Sequence, residues 1–497
     1  MERVAVIDVG SNSIRLVIFA VLAKGFNVID EMKATVRLGE GISGSPRLSE
    51  SSMSAAIAAL KRFAVVSRAY GATILAVATA AVRKADNGQK FIERIKEEAG
   101  ITVRLISGEE EAYMDYLGVI HSMDINDGLM IDIGGGSTEL VLIQDKKAIQ
   151  SASLPFGSLD LTLKFDLGQS VTPSKEEALS QYLWNRFQEV PWLTGNTNGP
   201  LIGVGGIIRN IGKIDRKLKQ YPLNLAHGYA LNYDDVQNVH AQVKNKELAE
   251  RKNVEGLASD RADIFVGASS AVKMLMEYTK RKELLISGYG LREGLVYHEI
   301  LANRQLRGGL DDSLENIMDL YQVNYRHANQ VYHLYSQLFG QLQELHGLGE
   351  DLSKVNKTAA LLHDIGLTIR FYNHQEHTYY LILNAGLVGL SHRELALSAH
   401  IAASHRLKNF KVVTNEFKNL LEKSDKLLIR KCGVLLQIAN SLDRSLVGKI
   451  HDVQCKIDKR QVVIHAISGQ DCSLEKNEAS LAAPLFEKYF NRELIIM

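Results

Sequence analysis

Val4-Ala5-Val6-Ile7-Asp8-Val9-Gly10-Ser11-Asn12-Ser13-Ile14-Arg15-Leu16 is matched later in the chain by Gly128-Leu129-Met130-Ile131-Asp132-Ile133-Gly134-Gly135-Gly136-Ser137-Thr138-Glu139-Leu140. Each stretch is an apolar strand that ends on an aspartate and then turns on glycine and hydroxyl residues. Glycine lets backbone approach an anion without a Cβ in the way, while flanking N–H and hydroxyl groups donate to phosphate oxygens. An aspartate at the strand end can hold Mg²⁺ directly or through water. Two such loops facing each other would clamp one phosphate chain.

The elements between them alternate in the α/β manner. Strands are expected at Val4–Asp8, Ile14–Val21, Phe26–Val36, Thr73–Ala78 and Val103–Ile106, with helices over about 49–70, 87–99 and 108–123. A second unit opens with strands at Gly128–Ile133, Thr138–Gln144 and Lys147–Leu154, followed by a strand-turn-helix at Leu201–Ile211. After about Asn303 the pattern changes to long amphipathic helices, introduced by Gly308-Gly309 and the cap-like Asp311-Asp312-Ser313. Alternation returns at Val453–Ile457 and Val462–Ile467. Four domains follow from this reading: 1–124 and 125–303 as paired α/β domains, 304–447 helical, and 448–497 a small α+β segment.

With 497 residues and a formal charge of +1, the chain has ample core but no bulk electrostatic hold on nucleic acid or membrane. Any polyanion must be gripped by local clusters. Cys432, Cys455 and Cys472 show no CxxC or His-Cys spacing, so zinc and redox pairing are not indicated. Glu2, Arg3, Asp8 and Arg15 interrupt any apolar signal core, and no uncharged stretch is long enough to span a bilayer. The expectation is a soluble, cytoplasmic protein.

Two α/β units that each open on an Asp-bearing phosphate loop resemble the duplicated ribonuclease-H-like fold of actin, sugar kinases and heat-shock chaperone ATPases. More narrowly, the chain resembles the exopolyphosphatase/guanosine pentaphosphate phosphohydrolase family. The matching residues are Asp8-x-Gly10-Ser11-Asn12-Ser13, Thr79-Ala80-Ala81-Val82-Arg83, Ile106-Ser107-Gly108-Glu109-Glu110-Glu111-Ala112, Asp132 through Glu139, Gly203-Val204-Gly205-Gly206 and Ser287-Gly288-Tyr289-Gly290-Leu291-Arg292-Glu293-Gly294. They occur in family order over roughly the first 300 residues.

The resemblance implies hydrolysis of a terminal phosphoanhydride, of inorganic polyphosphate or of guanosine pentaphosphate at the same site. It places the general base at Glu111, with Glu110 next, although acidic residues at a helix start also complement the helix dipole. It implies Mg²⁺ or Mn²⁺ on Asp132 and Glu139, with Asp8 as an outer partner. Gly10, Ser11, Asn12, Ser13, Gly134, Gly135, Gly136, Ser137, Thr138, Gly205, Gly206 and Arg209 would hold phosphate, and Arg83 would fork onto the terminal phosphoryl group. The basic run after Arg209 (Lys213, Arg216, Lys217, Lys219) reads equally as a solvated helix face. A homodimer is also implied. The fold alone would permit a kinase, but the acidic triplet resembles a hydrolytic base. A non-catalytic sensor of nucleotide or polyphosphate is the rival of another class.

In the helical half, Leu361-Leu362-His363-Asp364-Ile365-Gly366, with His327 upstream and Asp443 downstream, resembles the core of HD-domain phosphohydrolases. That implies a second divalent-metal site on His327, His363, Asp364 and Asp443, which His374, His377, His400 and His405 could extend to two metals. The alternative is a helical domain that keeps the fold without complete ligands. Arg406, Lys408, Lys411, Lys418, Lys423, Lys426, Arg430 and Lys431 form either a solvated surface or, if they face the cleft, a hold on the distal phosphates of a long polyanion.

Overall fold

The computed structural model describes residues 2–41, 46–195, 198–349, 351–406 and 415–497. The chain divides into two compact units, Met1–Gly309 and Leu310–Met497. Among the described residues no helix is long and apolar enough to cross a membrane.

The first unit contains two sheets built on the same opening. β1 (Arg3–Val9) and β2 (Ser13–Val21) form an antiparallel hairpin, flanked by β3 (Phe26–Thr35) and, in parallel, by β4 (Thr73–Ala78) and β5 (Val103–Leu105), in the order β3-β2-β1-β4-β5. The second sheet uses β6 (Gly128–Ile133), β7 (Thr138–Gln144), β8 (Lys147–Leu154), β9 (Leu201–Val204), β10 (Ala230–Asn232) and β11 (Glu283–Ile286), in the order β10-β11-β9-β6-β7-β8. The two hairpins share register: Asp8 faces Arg15 across the first, and Asp132 faces Glu139 across the second. Each turn closes in the same way, Gly10 N–H donating to Ser13 O at 3.2 Å and Gly134 N–H to Ser137 O at 3.0 Å.

β1 is apolar on both faces because it is covered on both. Ala5, Ile7 and Val9 join a core with Leu60 and Phe63 of helix Glu50–Ala69, while Val4 and Val6 join one with Met114, Leu295 and Val296. The second sheet repeats this arrangement: Leu129, Ile131 and Ile133 face one core and Met130 faces Ala112, Val119, Ile202 and Val204. Helix Gly108–Ser122 is therefore shared, giving Met114 to one sheet and Ala112 and Val119 to the other.

That helix meets helix Leu291–Glu299 backbone to backbone. A Cβ on Gly118 would lie 2.6 Å from Gly290 O, and one on Gly294 would overlap Met114 O. Neither site has room for a methyl group.

In the second unit helices Tyr325–Gln341, Ser353–Leu362, His374–Asn384, His392–Ala403 and Asp425–Ser441 pack around Val331, Leu334, Ala359, Leu362, Ile401 and Leu435, all fully buried. A three-stranded sheet follows, β12 (Ile450–Ile457) antiparallel to β13 (Gln461–Ser468), which pairs in parallel with β14 (Glu493–Ile496). The four stretches expected from the sequence thus group in pairs, with the break at 309/310 rather than 303/304.

Gly294→Ala should lower stability by about 1–3 kcal/mol through overpacking. Gly340→Ala, in a helix with open space at the Cβ position, should be neutral or stabilise by up to about 1 kcal/mol. Urea unfolding of the two variants checks this, and equal stabilities would refute the contact argument.

Candidate active site

The two glycine turns face one cavity of about 150 Å³. Gly10, Ser11, Asn12 and Ser13 of the first turn, Gly134, Gly135, Gly136 and Ser137 of the second, and Gly205, Gly206 and Arg209 all line it. The turns nearly touch, since a Cβ on Gly135 would sit 2.8 Å from Ser11 Cβ and one on Gly136 2.9 Å from Ser11 Oγ. The second turn is pinned from behind: Ser158 N–H donates to Gly134 O at 2.8 Å, Leu159 N–H to Gly135 O at 2.9 Å, and Lys84 Nζ to Gly136 O.

Gly205 has a φ of +93°, and a Cβ there would strike Asp132 Oδ1. A Cβ on Gly206 would strike the Arg261 guanidinium, which donates to Gly206 O at 2.8 Å. The pair therefore lets helix Gly206–Leu218 begin directly against a carboxylate and an arginine, with its free N–H groups at the cavity.

Charges of both signs meet here. Asp8, Glu111, Asp115 and Asp132 line the cavity together with Arg15, Arg209, Arg261 and Arg292. Burial raises Asp132 to about 6, Arg209 opposing it. Burial and the neighbouring Asp132 raise Glu139 to about 7. Burial pushes Glu111 and Asp115 well above the ordinary carboxylate range, reinforced at Glu111 by Glu139 and opposed by Arg83, and at Asp115 by Asp132. Burial likewise lowers Arg15 and Arg209 to about 10, with Arg292 adding repulsion. Asp132 Oδ1 and Asn12 Oδ1 are buried without a hydrogen-bond partner.

Crowded carboxylates with an orphaned oxygen suit a hard divalent cation, and crowded arginines suit a polyanion. Oxygen donors around Asp132 thus fit the Mg²⁺ or Mn²⁺ expected from the sequence.

Comparison with known proteins places the chain in a family. Residues 17–303 match the Ppx/GppA phosphatase family, and residues 311–481 match Ppx/GppA phosphatase, domain III. The chain belongs to the Ppx/GppA phosphatase family. Family membership makes it a phosphatase acting on phosphoanhydride bonds.

Among its relatives is a guanosine-5'-triphosphate,3'-diphosphate pyrophosphatase of Pseudoalteromonas atlantica, 28% identical over 82% of this chain and 80% of that protein. An exopolyphosphatase from Cytophaga hutchinsonii superposes with a TM-score of 0.57 at 26% identity, covering 61% of this chain and 98% of its own. The Aquifex aeolicus family member gives 0.53 at 28% identity, over 61% and 99%.

Not every residue expected to serve this phosphatase lies where the sequence suggested. Glu110 is exposed and closes a capping box, accepting from Ser107 N–H at 2.7 Å, and pairs with Arg104. That leaves Glu111 alone at the cavity wall. Thr138 is fully buried, its hydroxyl donates to Phe156 O at 2.7 Å, and it is not among the residues lining the cavity. Glu139 lies behind the wall, held by Ser153 Oγ at 2.9 Å. Arg83 is also outside the lining, donating to Ile106 O at 2.7 Å and to Glu111 Oε2 at 3.3 Å. Of the basic run, Arg209 reaches the cavity, Lys217 pairs with Glu255, Lys219 with Asp215 and Asp235, and Arg216 donates to Leu225 O.

Arg15, Arg261, Arg292 and Asp115 were not singled out from the sequence. The identity of position 15, a cation facing Asp8 where the second hairpin has Glu139, was the available signal.

In the second unit His327, His363 and Asp364 come together, and Asp364 is joined by His374 and His405. His377, His400 and Asp443 lie outside these groups, and Asp443 accepts from His327 Nδ1 at 2.8 Å. Lys408 and Lys411 lie outside the described residues, and Lys431 donates to His346 O at 2.8 Å.

Because Asp132 and Glu139 are raised in the folded protein, they stabilise it fully below the unfolded carboxylate pKa, and that contribution is lost as pH rises through about 6 and 7. In chelator the melting temperature should fall between about pH 5.5 and pH 8, and Mg²⁺ should raise it more at the higher pH. A flat profile with an equal Mg²⁺ increment at both ends would count against this charge arrangement.

Proposed function

We propose that this phosphatase is an exopolyphosphatase that removes the terminal phosphoryl group of inorganic polyphosphate as orthophosphate. The observation that carries the reading is a cavity lined by two glycine turns and four arginines with no aromatic side chain among its described lining residues. Such a wall grips successive phosphoryl groups and gives a purine nothing to stack on.

Ser11, Ser13 and Ser137 and the turn N–H groups orient the terminal phosphoryl group, and the arginines neutralise its oxygens and those of the group behind it. Glu111 accepts a proton from water as the water oxygen bonds to phosphorus. The P–O bond to the bridging oxygen breaks, and the shortened chain leaves with that oxygen. A buried glutamate with a raised pKa is a stronger base than a solvated one. Asp132, with Asp8 and Glu139 near it, would hold the divalent cation, which when bound neutralises charge on the phosphoryl oxygens.

The Pseudoalteromonas relative, a guanosine-5'-triphosphate,3'-diphosphate pyrophosphatase, supports a second reading, removal of the 5′-terminal phosphate of guanosine pentaphosphate at the same site. Phosphate release from long-chain polyphosphate and from guanosine pentaphosphate, measured in parallel with Mg²⁺, separates the two by kcat/KM. A clear preference for the guanosine compound would overturn the exopolyphosphatase reading. Glu111→Gln should lower kcat on the better substrate by about 10²–10⁴-fold. Retained turnover would remove Glu111 from the chemistry.

Arg83 holds the Glu111 pKa down. Arg83→Gln should therefore move the acidic limb of the kcat/KM profile to higher pH. A limb that stays or moves lower would contradict the pairing.

A further inference from the structure

The second glycine turn brings three consecutive N–H groups to its cavity. Those of Gly135, Gly136 and Ser137 donate to no backbone acceptor among the described residues, and all three residues line the cavity. A trans peptide sets its N–H opposite its C=O, so each of these N–H groups is aimed by whatever holds the carbonyl of the residue before it.

The first two carbonyls are held by the main chain. Gly134 O accepts from Ser158 N–H at 2.8 Å, with Ser158 Oγ adding a second bond at 3.0 Å, and Gly135 O accepts from Leu159 N–H at 2.9 Å. Both N–H donors open helix Ser158–Phe165. The segment before it leaves no slack, because a Cβ on Gly157 would lie 2.5 Å from Gly135 O.

Gly136 O is held differently. It accepts from Lys84 Nζ, and no backbone N–H among the described residues donates to it. Lys84 ends helix Ala80–Lys84, which follows β4 of the first sheet. A side chain from one sheet therefore aims the third peptide of a turn that belongs to the other. Asp160 Oδ2 at 3.2 Å and Pro155 O at 3.5 Å take the remaining N–H bonds of the ammonium and fix where it stands. Lys84 itself is not among the residues lining the cavity.

We propose that Lys84 is a positioning residue of the phosphatase: by holding Gly136 O away from the cavity it turns Ser137 N–H onto a non-bridging oxygen of the terminal phosphoryl group. Gly136 accepts either hand of backbone, so without the lysine the Gly136–Ser137 peptide is free to turn over and present its carbonyl. A carbonyl dipole repels the anion that an N–H attracts. Consecutive residues then serve two sides of the reaction, Arg83 bonded to Glu111 and Lys84 to the turn. The inference rests on the phosphoryl group binding in this cavity, and it holds for polyphosphate and guanosine pentaphosphate alike.

Removing the lysine alone leaves the part-buried Asp160 carboxylate without its cation. The test therefore compares wild type with Lys84→Met and with Lys84→Met/Asp160→Asn, which removes the stranded charge as well. Both variants should lose about 10²-fold in kcat/KM on whichever substrate the wild type prefers, the loss expected when one donor to a reacting oxyanion is misaimed. The double variant should melt in chelator close to wild type. Labelling the full chain with carbonyl-¹³C glycine and ¹⁵N serine selects the Gly–Ser amides, and Ser137→Ala assigns the one in the turn. Orthophosphate should shift the Ser137 amide resonance of wild type and leave it unmoved in the double variant, a response that a merely structural lysine would not alter. Wild-type kcat/KM in the folded double variant, or a Ser137 amide there that still answers orthophosphate, would overturn the proposal. A wild type whose Ser137 amide ignores orthophosphate would overturn instead the placement of the phosphoryl group in this cavity, and the inference with it.

Discussion

The contact on which the first unit depends is the approach of helices Gly108–Ser122 and Leu291–Glu299, closed by Gly118 and Gly294. The first helix is wedged between two sheets and carries Glu111 and Asp115. The second begins at Gly290, Leu291 and Arg292, all at the cavity. With no side chain between the backbones, the separation of the helices is fixed by atoms that cannot rotate away. The positions of a carboxylate pair and an arginine across the cleft follow from that separation. A larger residue at either glycine would displace the groups that line the cavity.

Those groups are mutually unfavourable until something binds. Burial and like-charge proximity raise the carboxylates and lower the arginines, which is the signature of a site shaped for charges it does not itself contain. The duplication of the hairpin explains how one fold supplies both signs. Positions separated by 124 residues occupy the same place in each turn, so Asp8 matches Asp132 and Gly10 matches Gly134. Where the first copy has Arg15 the second has Glu139. The two copies therefore differ in the sign of the charge that they set opposite the shared aspartate.

The turns were legible in the sequence because their chemistry is local: strand, aspartate, glycine and hydroxyl lie within a dozen residues. The arginine cluster was legible only at Arg209, because Arg15, Arg261 and Arg292 arrive from three other elements and each alone reads as an ordinary surface cation. Glu110 and Glu111 are indistinguishable by type and spacing. What separates them is helical phase, which turns one onto its own N-cap and the other toward the cavity. Thr138 is a related case. It is the first residue of β7, and there its hydroxyl is spent on Phe156 O, an acceptor 18 residues away.

The second unit shows why composition could name histidines without assigning them. His-Asp on one helix, and histidines elsewhere, fix neither which ring nitrogen is free nor where it points. Helix ends decide both. His363, His374 and His405 each give Nδ1 to a carbonyl three residues earlier, a local bond that leaves every Nε2 facing away from its own backbone. Asp443 performs the same service for His327 from another part of the chain. Four outward nitrogens around Asp364 form a donor set unlike the oxygen set around Asp132.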